Sequence, residues 1–425
     1  MAGRGIGRLS ILTPLISVVI SFCLLGIMLY KRIRLGITLC VVPIVLALLT
    51  LDWSKIPWIL YATVDPFRQD GLLSLLVTLA SFSTSWLSYL YKETKMVLVL
   101  SEGLSALIKR QKITLILLPA LIGLLSVPGG ALLSAPIVES ESKSLGLSAD
   151  KMAYINLWFR HIIFPIYPLS QSLIVAAALT GIPLLTILLL QIPVIIVMLI
   201  AGYLIGLKRV SASERKNSVK NGSTLTLTFI ASSLPISTAI ALAIILGVMN
   251  NKLFQQGLNV VIASFAGLAV LALVSRTNFK TLTRPLLNSW IYDVTFATYG
   301  AFLLQNVTKT INIADAFRPL IQNGTLSAVW LLMMAPLFLS FLTGSPMGAM
   351  AIVISVFPGL FTFSPKSAAL LYASTYLGYM IAPTHLCFVF TVDYFKTTLT
   401  KVYKYAISSF IITYSAVIFL YFLLW

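Results

Sequence analysis

The chain reads as an all-α polytopic membrane protein built from two inverted repeats, each of five transmembrane helices plus one re-entrant hairpin. Three observations predict this class. Of the 425 residues, 59% are apolar and 10% charged, whereas a soluble domain carries roughly 25% charged residues. At least nine apolar runs reach the roughly 20 residues that a helix needs to cross a bilayer. The same order of elements occurs twice along the chain. So few charges exclude a cytosolic enzyme, a secreted disulfide scaffold and a nucleic-acid-binding module.

The first half, residues 1–212, starts with scaffold helices over 9–91, drawn as spans 9–30, 35–52 and 72–91. The run from Leu9 to Tyr30 ends in Lys31, Arg32 and Arg34 without a small-x-small cleavage pattern. It is therefore expected to stay as a first helix rather than leave as a signal peptide. Residues 93–111 mix charged groups with Val97, Leu100, Leu104 and Ile108 at helical spacing, as in a helix lying along the interface. Segment 113–138 is apolar but has Ser126, Pro128, Gly129 and Gly130 at its centre. Pro and Gly break a helix there, and each arm is too short to cross alone, so a re-entrant hairpin is expected. Span 153–178 is broken at Pro165 and Pro168, and 182–206 completes the half. The second half, residues 213–425, repeats the order. Its scaffold helices cover 224–306 and its interfacial helix 307–323. The hairpin 325–356 turns at Thr343, Gly344, Ser345, Pro346 and Gly348. A helix over 367–394, broken at Pro383, and a last helix over 405–425 follow.

The basic residues test the topology. With both termini outside and each hairpin returning to its own side, twenty-one Lys and Arg lie inside and eight outside, as the positive-inside bias requires. That bias, rather than nucleic-acid binding, accounts for the net charge of +18. The repeat is visible in residues at an offset of 218: Pro128 and Pro346, Gly130 and Gly348, Tyr154 and Tyr372, Pro165 and Pro383. Five crossings per half invert the second half, so the two hairpins enter from opposite sides.

Broken helices meeting at mid-membrane are the sequence sign of a secondary transporter. Free N–H groups at a helix start suit anions, and free C=O groups at a helix end suit cations such as Na⁺. The candidate substrate-binding residues are Ser126, Gly129, Gly130, Asn156, Arg160, Thr343, Gly344, Ser345, Gly348 and Thr384. Arg160 is either a bidentate clamp for a carboxylate or an Arg snorkelling to cytoplasmic headgroups. The only two histidines, His161 and His385, lie in the broken helices. Intramembrane ionisable groups are costly and usually functional, so both are candidates for ion coupling, against a plain packing role. Asp393 is a third coupling candidate; it could carry a proton, bind Na⁺, pair with Arg160, or simply end a helix. Cys23, Cys40 and Cys387 have no short mutual spacing and read as core packers rather than disulfides or metal ligands.

No catalytic residue is assigned. Ser345 with His385 could form an intramembrane protease dyad, but no G-x-S-x-G elbow is present. H-E-x-x-H and the P-loop are also missing from the sequence. A channel is a further remote alternative, and opposed hairpins suit alternating access better than an open pore.

The motifs Pro128-Gly-Gly-Ala, Gly344-Ser-Pro-Met-Gly-Ala, Asn156-Leu-Trp-Phe-Arg-His and Tyr379-Met-Ile-Ala-Pro-Thr-His resemble an uncharacterised prokaryotic integral-membrane family carried as a domain of unknown function. That family is similar to the ion transporter superfamily of gluconate, citrate and dicarboxylate carriers. The resemblance implies an elevator-like carrier in the cytoplasmic membrane, usually a homodimer. Scaffold helices would stay fixed while hairpins and broken helices move as a transport unit. It also implies a small anionic substrate, with Na⁺ or H⁺ as coupling ion and no other cofactor. The superfamily's Ser-Asn-Thr-like tips are replaced here by Val-Pro-Gly-Gly and Gly-Ser-Pro-Met-Gly. The expectation is therefore an ion-coupled symporter of a small carboxylate, with a cation/proton antiporter lacking an organic substrate as the alternative.

Overall fold

The computed structural model describes residues 14–125, 129–210, 222–249, 251–313, 327–356 and 362–423, and every regular element among them is helical. The first half contains α1 (Pro14–Tyr30), α2 (Leu35–Thr50), α3 (Ile56–Ala62), α4 (Gln69–Glu93) and α5 (Met96–Leu107). It continues with α6 (Gln111–Gly123), α7 (Ala131–Lys143), α8 (Ala149–His161), α9 (Gln171–Thr180) and α10 (Leu184–Gly202). The second half contains α11 (Gly222–Val248), α12 (Asn259–Val274), the short α13 (Phe279–Thr283), α14 (Ser289–Thr310) and α15 (Ala328–Thr343). It ends with α16 (Pro346–Val356), α17 (Pro365–Met380), α18 (Leu386–Tyr394) and α19 (Leu399–Leu423).

Six helical stretches among the described residues are long and apolar enough to cross a bilayer: Gln69–Glu93, Ala149–Thr180, Leu184–Leu207, Thr226–Val248, Phe254–Val274 and Leu399–Leu423. The protein is therefore membrane-embedded. Large apolar side chains on these helices face outward, including Leu189, Leu273 and Phe419; lipid favours such side chains at its boundary, where water would not. The sequence predicts ten full spans. The others are shorter or more polar in the structure. Helix α1 has 17 described residues, the expected start at 9 lying outside the described residues, α2 has 16, α14 has 22 residues and is less apolar, and the span 367–394 is divided into α17 and α18.

Breaks fall where the sequence places them. Leu125 and Gly129 flank the turn between α6 and α7, and Gly344 with φ +63° separates α15 from α16. Helix α8 ends at His161, passes through a short turn at Phe164–Ile166, and resumes as α9. Within the stretch 93–111, expected to be an interfacial helix, Met96–Leu107 are helical as α5. Its counterpart 307–323 begins as the end of α14 and Ile311–Ile313; residues 314–323 lie outside the described residues.

The helices pack in two groups. In one, α2 packs on α14 and α4 packs on both α12 and α14, with α1 on α2 and α11 on α12. Polar bonds tie this group together: Ser83 Oγ to Ser264 Oγ at 2.6 Å and Thr298 Oγ1 donating to Ser81 Oγ at 2.9 Å. Such bonds are the glue of helix contacts in lipid. Pro235 lies within α11, and the Tyr91 hydroxyl inserts beside it. It donates to Ser232 C=O and accepts from Ile236 N–H, each at 3.0 Å, so backbone groups opened by the proline are satisfied.

In the other group, each hairpin packs on the broken helix of its own half and reaches that of the other half: α6 and α7 lie on α8, α15 on α17, α7 on α18, and α16 on α9. Two crossings are close enough to exclude a side chain. A Cβ on Gly123 would collide with the Arg160 carbonyl, and one on Gly378 with the Leu337 carbonyl. Near one surface, Lys404 Nζ lies 2.7 Å from Asp150 and Tyr394 donates to Glu139 at 2.8 Å. The Lys143 ammonium, with that hydroxyl, holds the Glu139 carboxyl below its usual range.

Candidate functional site

Helix α8 ends in the run Asn156-Leu-Trp-Phe-Arg160-His161, and this stretch is wholly buried. Arg160 and Asn156 lie one turn apart on one face. Both reach the tip of the first hairpin. Arg160 Nη2 donates to the Leu125 carbonyl at 3.2 Å. Asn156 Nδ2 donates to the Ala131 carbonyl at 3.1 Å and to Thr391 Oγ1 at 3.2 Å. These two side chains thus bind the carbonyls on either side of the tip and join it to α18.

The bonds leave capacity unused. Arg160 is 1% exposed, yet among the described residues its Nε and Nη1 have no partner, nor does Asn156 Oδ1. Buried donors on a permanent charge are expensive to leave unmade. The alternative in which Arg160 snorkels to headgroups is overturned by this burial, because the guanidinium is inside the protein. It is not paired with Asp393 either. That residue is exposed near the end of α18, roughly 12 Å by helical rise from His385, and does not belong to this cluster.

Both histidines do. His161 and His385 are each 1% exposed, and their rings meet edge to face with centroids 4.7 Å apart. His161 Nδ1 lies 2.7 Å from the Leu157 carbonyl, which fixes it as the protonated nitrogen and leaves Nε2 a lone pair. His385, by contrast, makes no hydrogen bond of good geometry on either nitrogen among the described residues, although the Met380 and Tyr379 carbonyls lie near its ring. Tyr379 lies against it with ring centroids 3.9 Å apart, and Phe164 stacks on His161 at 5.5 Å. The Tyr376 hydroxyl donates to the His161 carbonyl at 2.5 Å. Arg160 is close enough for its charge to act on both imidazoles.

The second hairpin tip meets this cluster from the other side. A Cβ on Gly344 would stand 2.6 Å from Thr384 Oγ1 and 3.2 Å from the His385 nitrogen, so only glycine lets the tip seat on the break in the helix. Thr343, Ser345 and Gly348 bond within the tip: Ser345 N–H to Thr343 Oγ1, and Gly348 N–H to Ser345 Oγ, both at 3.2 Å. The Ser345 hydroxyl is thus turned to its own backbone, and no hydrogen bond joins it to His385 among the described residues. Gly129 and Gly130 follow the first tip, Gly129 with φ +68° against Phe390. Ser126 lies outside the described residues. Thr384 is exposed and donates to Leu342 C=O at 3.4 Å.

Two members of the cluster escape the sequence reading. Tyr376 is one. Cys387 is the other: it packs in the core as the sequence reading expects, and its sulfur also lies within 4.8 Å of one nitrogen of His161 and one of His385, which lie within 4.8 Å of each other. The spacing His385-x-Cys387 was the available signal. A separate cavity of about 20 Å³ lies between α4, α9 and α12, lined by Val77, Ala177, Gln255 and Asn259 among others. It has no ionisable lining group and is remote from Arg160.

No curated protein matches the chain. The family model for a protein of unknown function, DUF401, matches residues 8–424, nearly the whole length, and the chain belongs to that family.

Proposed function

We propose that the protein is a secondary active transporter in the cytoplasmic membrane that moves a small organic anion, a carboxylate, by alternating access, driven by H⁺ or Na⁺. The observation that carries this reading is Arg160: a buried guanidinium whose Nε and Nη1 have no partner among the described residues, placed beside a hairpin tip between broken helices. A planar carboxylate accepts two parallel N–H bonds from one edge of a guanidinium, here Nε or Nη1 together with the second N–H of Nη2, whose other N–H is held by Leu125. Asn156 Oδ1, also unpartnered, suits a hydroxyl or acid proton on the same ligand. His161 and His385, next to the guanidinium, are the coupling residues of this reading; Asp393 is dropped from it.

The element order supports two inverted repeats, 1–212 and 213–425, and so do the reciprocal packings of α7 with α18 and α16 with α9, and of α4 with α12 and α14 with α2. At the offset of 218 the counterpart of Arg160 is Gly378. The arginine therefore belongs to one half only, which suits a ligand contact more than a symmetric framework role. In this reading the helices 9–91 and 224–306 are the scaffold of a homodimer with both termini outside, and the hairpins and broken helices are the moving unit of an elevator, as in the ion transporter superfamily.

The test is uptake into proteoliposomes. Labelled mono-, di- and tricarboxylates, sugar acids and amino acids are offered under an imposed pH or Na⁺ gradient. Gradient-dependent uptake of a carboxylate is expected from the wild type, with at least a tenfold loss in Arg160→Lys, whose point charge lacks the fork. Gradient-driven cation flux with no carboxylate uptake would replace this reading with a cation/proton antiporter, and uncoupled ohmic current would replace it with a channel.

A further inference from the structure

We propose that His161, His385 and Cys387 form a binding site for a soft d¹⁰ cation of the Zn²⁺ type, with a fourth position left open. The site goes beyond the transport reading and does not depend on it. Three features of the structure support it together. The donor atoms of the three residues lie within 4.8 Å of one another and all three side chains are buried. Tetrahedral Zn²⁺, with bonds of about 2.0–2.3 Å, spaces such donors roughly 3.4–3.6 Å apart, so closure needs about 1 Å of side-chain movement. His161 is already fixed for the task. Its Nδ1 is engaged by the Leu157 carbonyl at 2.7 Å, the usual outer contact that orients a ligating imidazole and presents Nε2. His385 is buried and makes no hydrogen bond of good geometry among the described residues, with only the Met380 and Tyr379 carbonyls near its ring, so a ring nitrogen is free to turn to a metal.

The donor set selects the ion. Two imidazoles and a thiolate are borderline-to-soft ligands, suited to zinc and copper and unsuited to Na⁺, Mg²⁺ or Ca²⁺, which take oxygen. Binding releases the Cys387 thiol proton to solvent, and the thiolate cancels one charge of the ion. Arg160, next to His161 in the chain, opposes any uncompensated positive charge, so a thiolate ligand suits this site. Access is short: Pro383, Thr384 and Leu386, around His385 in the chain, are exposed.

The test uses the purified full chain with Cys23→Ser and Cys40→Ser, which leaves Cys387 as the only thiol, and Cd²⁺ as the probe. The expected result is a thiolate-to-cadmium charge-transfer band that saturates at one ion per chain and is displaced by Zn²⁺. His161→Ala and His385→Gln are each expected to weaken binding on the order of tenfold or more. The cadmium-113 resonance of the parent reads the donor set directly and needs no histidine variant to fold. A resonance of one sulfur with two nitrogens upholds the site. A resonance of sulfur with oxygen donors alone, or no band at all, overturns it, and carboxylate binding at Arg160 is read separately by the uptake assay.

Discussion

Arg160 illustrates how one buried side chain separates structure from function. A buried charge held for stability has its donors filled, and cutting one partner of such a pair costs about 3–5 kcal/mol. Arg160 makes one bond to Leu125 and leaves two donors empty. Arg160→Met, which keeps the volume and removes the charge, is therefore expected to leave the melting temperature of the ligand-free protein unchanged or raised, while the response to a carboxylate is lost. A drop of several kcal/mol in the ligand-free protein would return Arg160 to a structural role. Asn156→Ala belongs to the same scale. It breaks bonds to Ala131 and Thr391 and is expected to cost roughly 1–3 kcal/mol, read as a lower melting temperature. Arg160 and both histidines were legible in the sequence because ionisable groups are rare in apolar spans. Cys387 was not. A cysteine looks apolar in any hydropathy profile, and its partner His161 sits in the other half of the chain.

Among the elements, the breaks were more legible than the helix ends. Proline alone does not mark a break: Pro43, Pro119, Pro136, Pro193, Pro235 and Pro336 all lie inside continuous helices. Neighbouring groups refill the opened bonds, as Tyr91 does beside Pro235. Chain breaks occur where proline coincides with glycine or a polar cluster, as at the two tips and at Phe164–Ile166. The span expected over 35–52 ends as α2 at Thr50, one residue before Leu51 turns extended. The close crossings give the prediction for this scale. Gly123→Val and Gly378→Val each drive a side chain into a carbonyl of the facing helix. Each is expected to destabilise by about 1–3 kcal/mol. Gly26→Ala, in α1 with nothing within 4 Å, is expected to stabilise by about 0.5–1 kcal/mol. Thermal unfolding in detergent measures all three, and a neutral Gly378→Val would mean that the α15–α17 crossing is looser than described.

Across the whole molecule, the packing is nearly but not fully reciprocal. Helix α14 packs on α16, and α4 packs on α9, whereas the pairs α4–α7 and α14–α18, equivalent under an inverted repeat, have no comparable contact. The second hairpin therefore rests against the α2–α14 side: Met347 Sδ lies 3.6 Å from Thr298 Oγ1, and a Cβ on Gly348 would stand 3.1 Å from Leu35 Cδ1. One end state of an alternating-access cycle has this asymmetry, because a unit shifted to one side touches its scaffold unequally. Bridging cysteines at Thr298 and Met347 with mercuric ion, in a protein otherwise free of cysteine, is expected to stop uptake by more than tenfold while ligand binding persists. Undiminished uptake would show that the second hairpin does not move against α14. The central claim is that Arg160 holds a carboxylate, and ligand-dependent thermal stability of the purified chain tests it most directly. Carboxylates, sugar acids and amino acids are screened with and without Na⁺ against wild type and Arg160→Met. A ligand at a hundredfold excess over its dissociation constant stabilises the folded state by about 2.7 kcal/mol. The expected result is a saturable rise in melting temperature with at least one carboxylate in the wild type and none in Arg160→Met. A rise with Na⁺ or pH alone, or a carboxylate shift that survives in Arg160→Met, would contradict it.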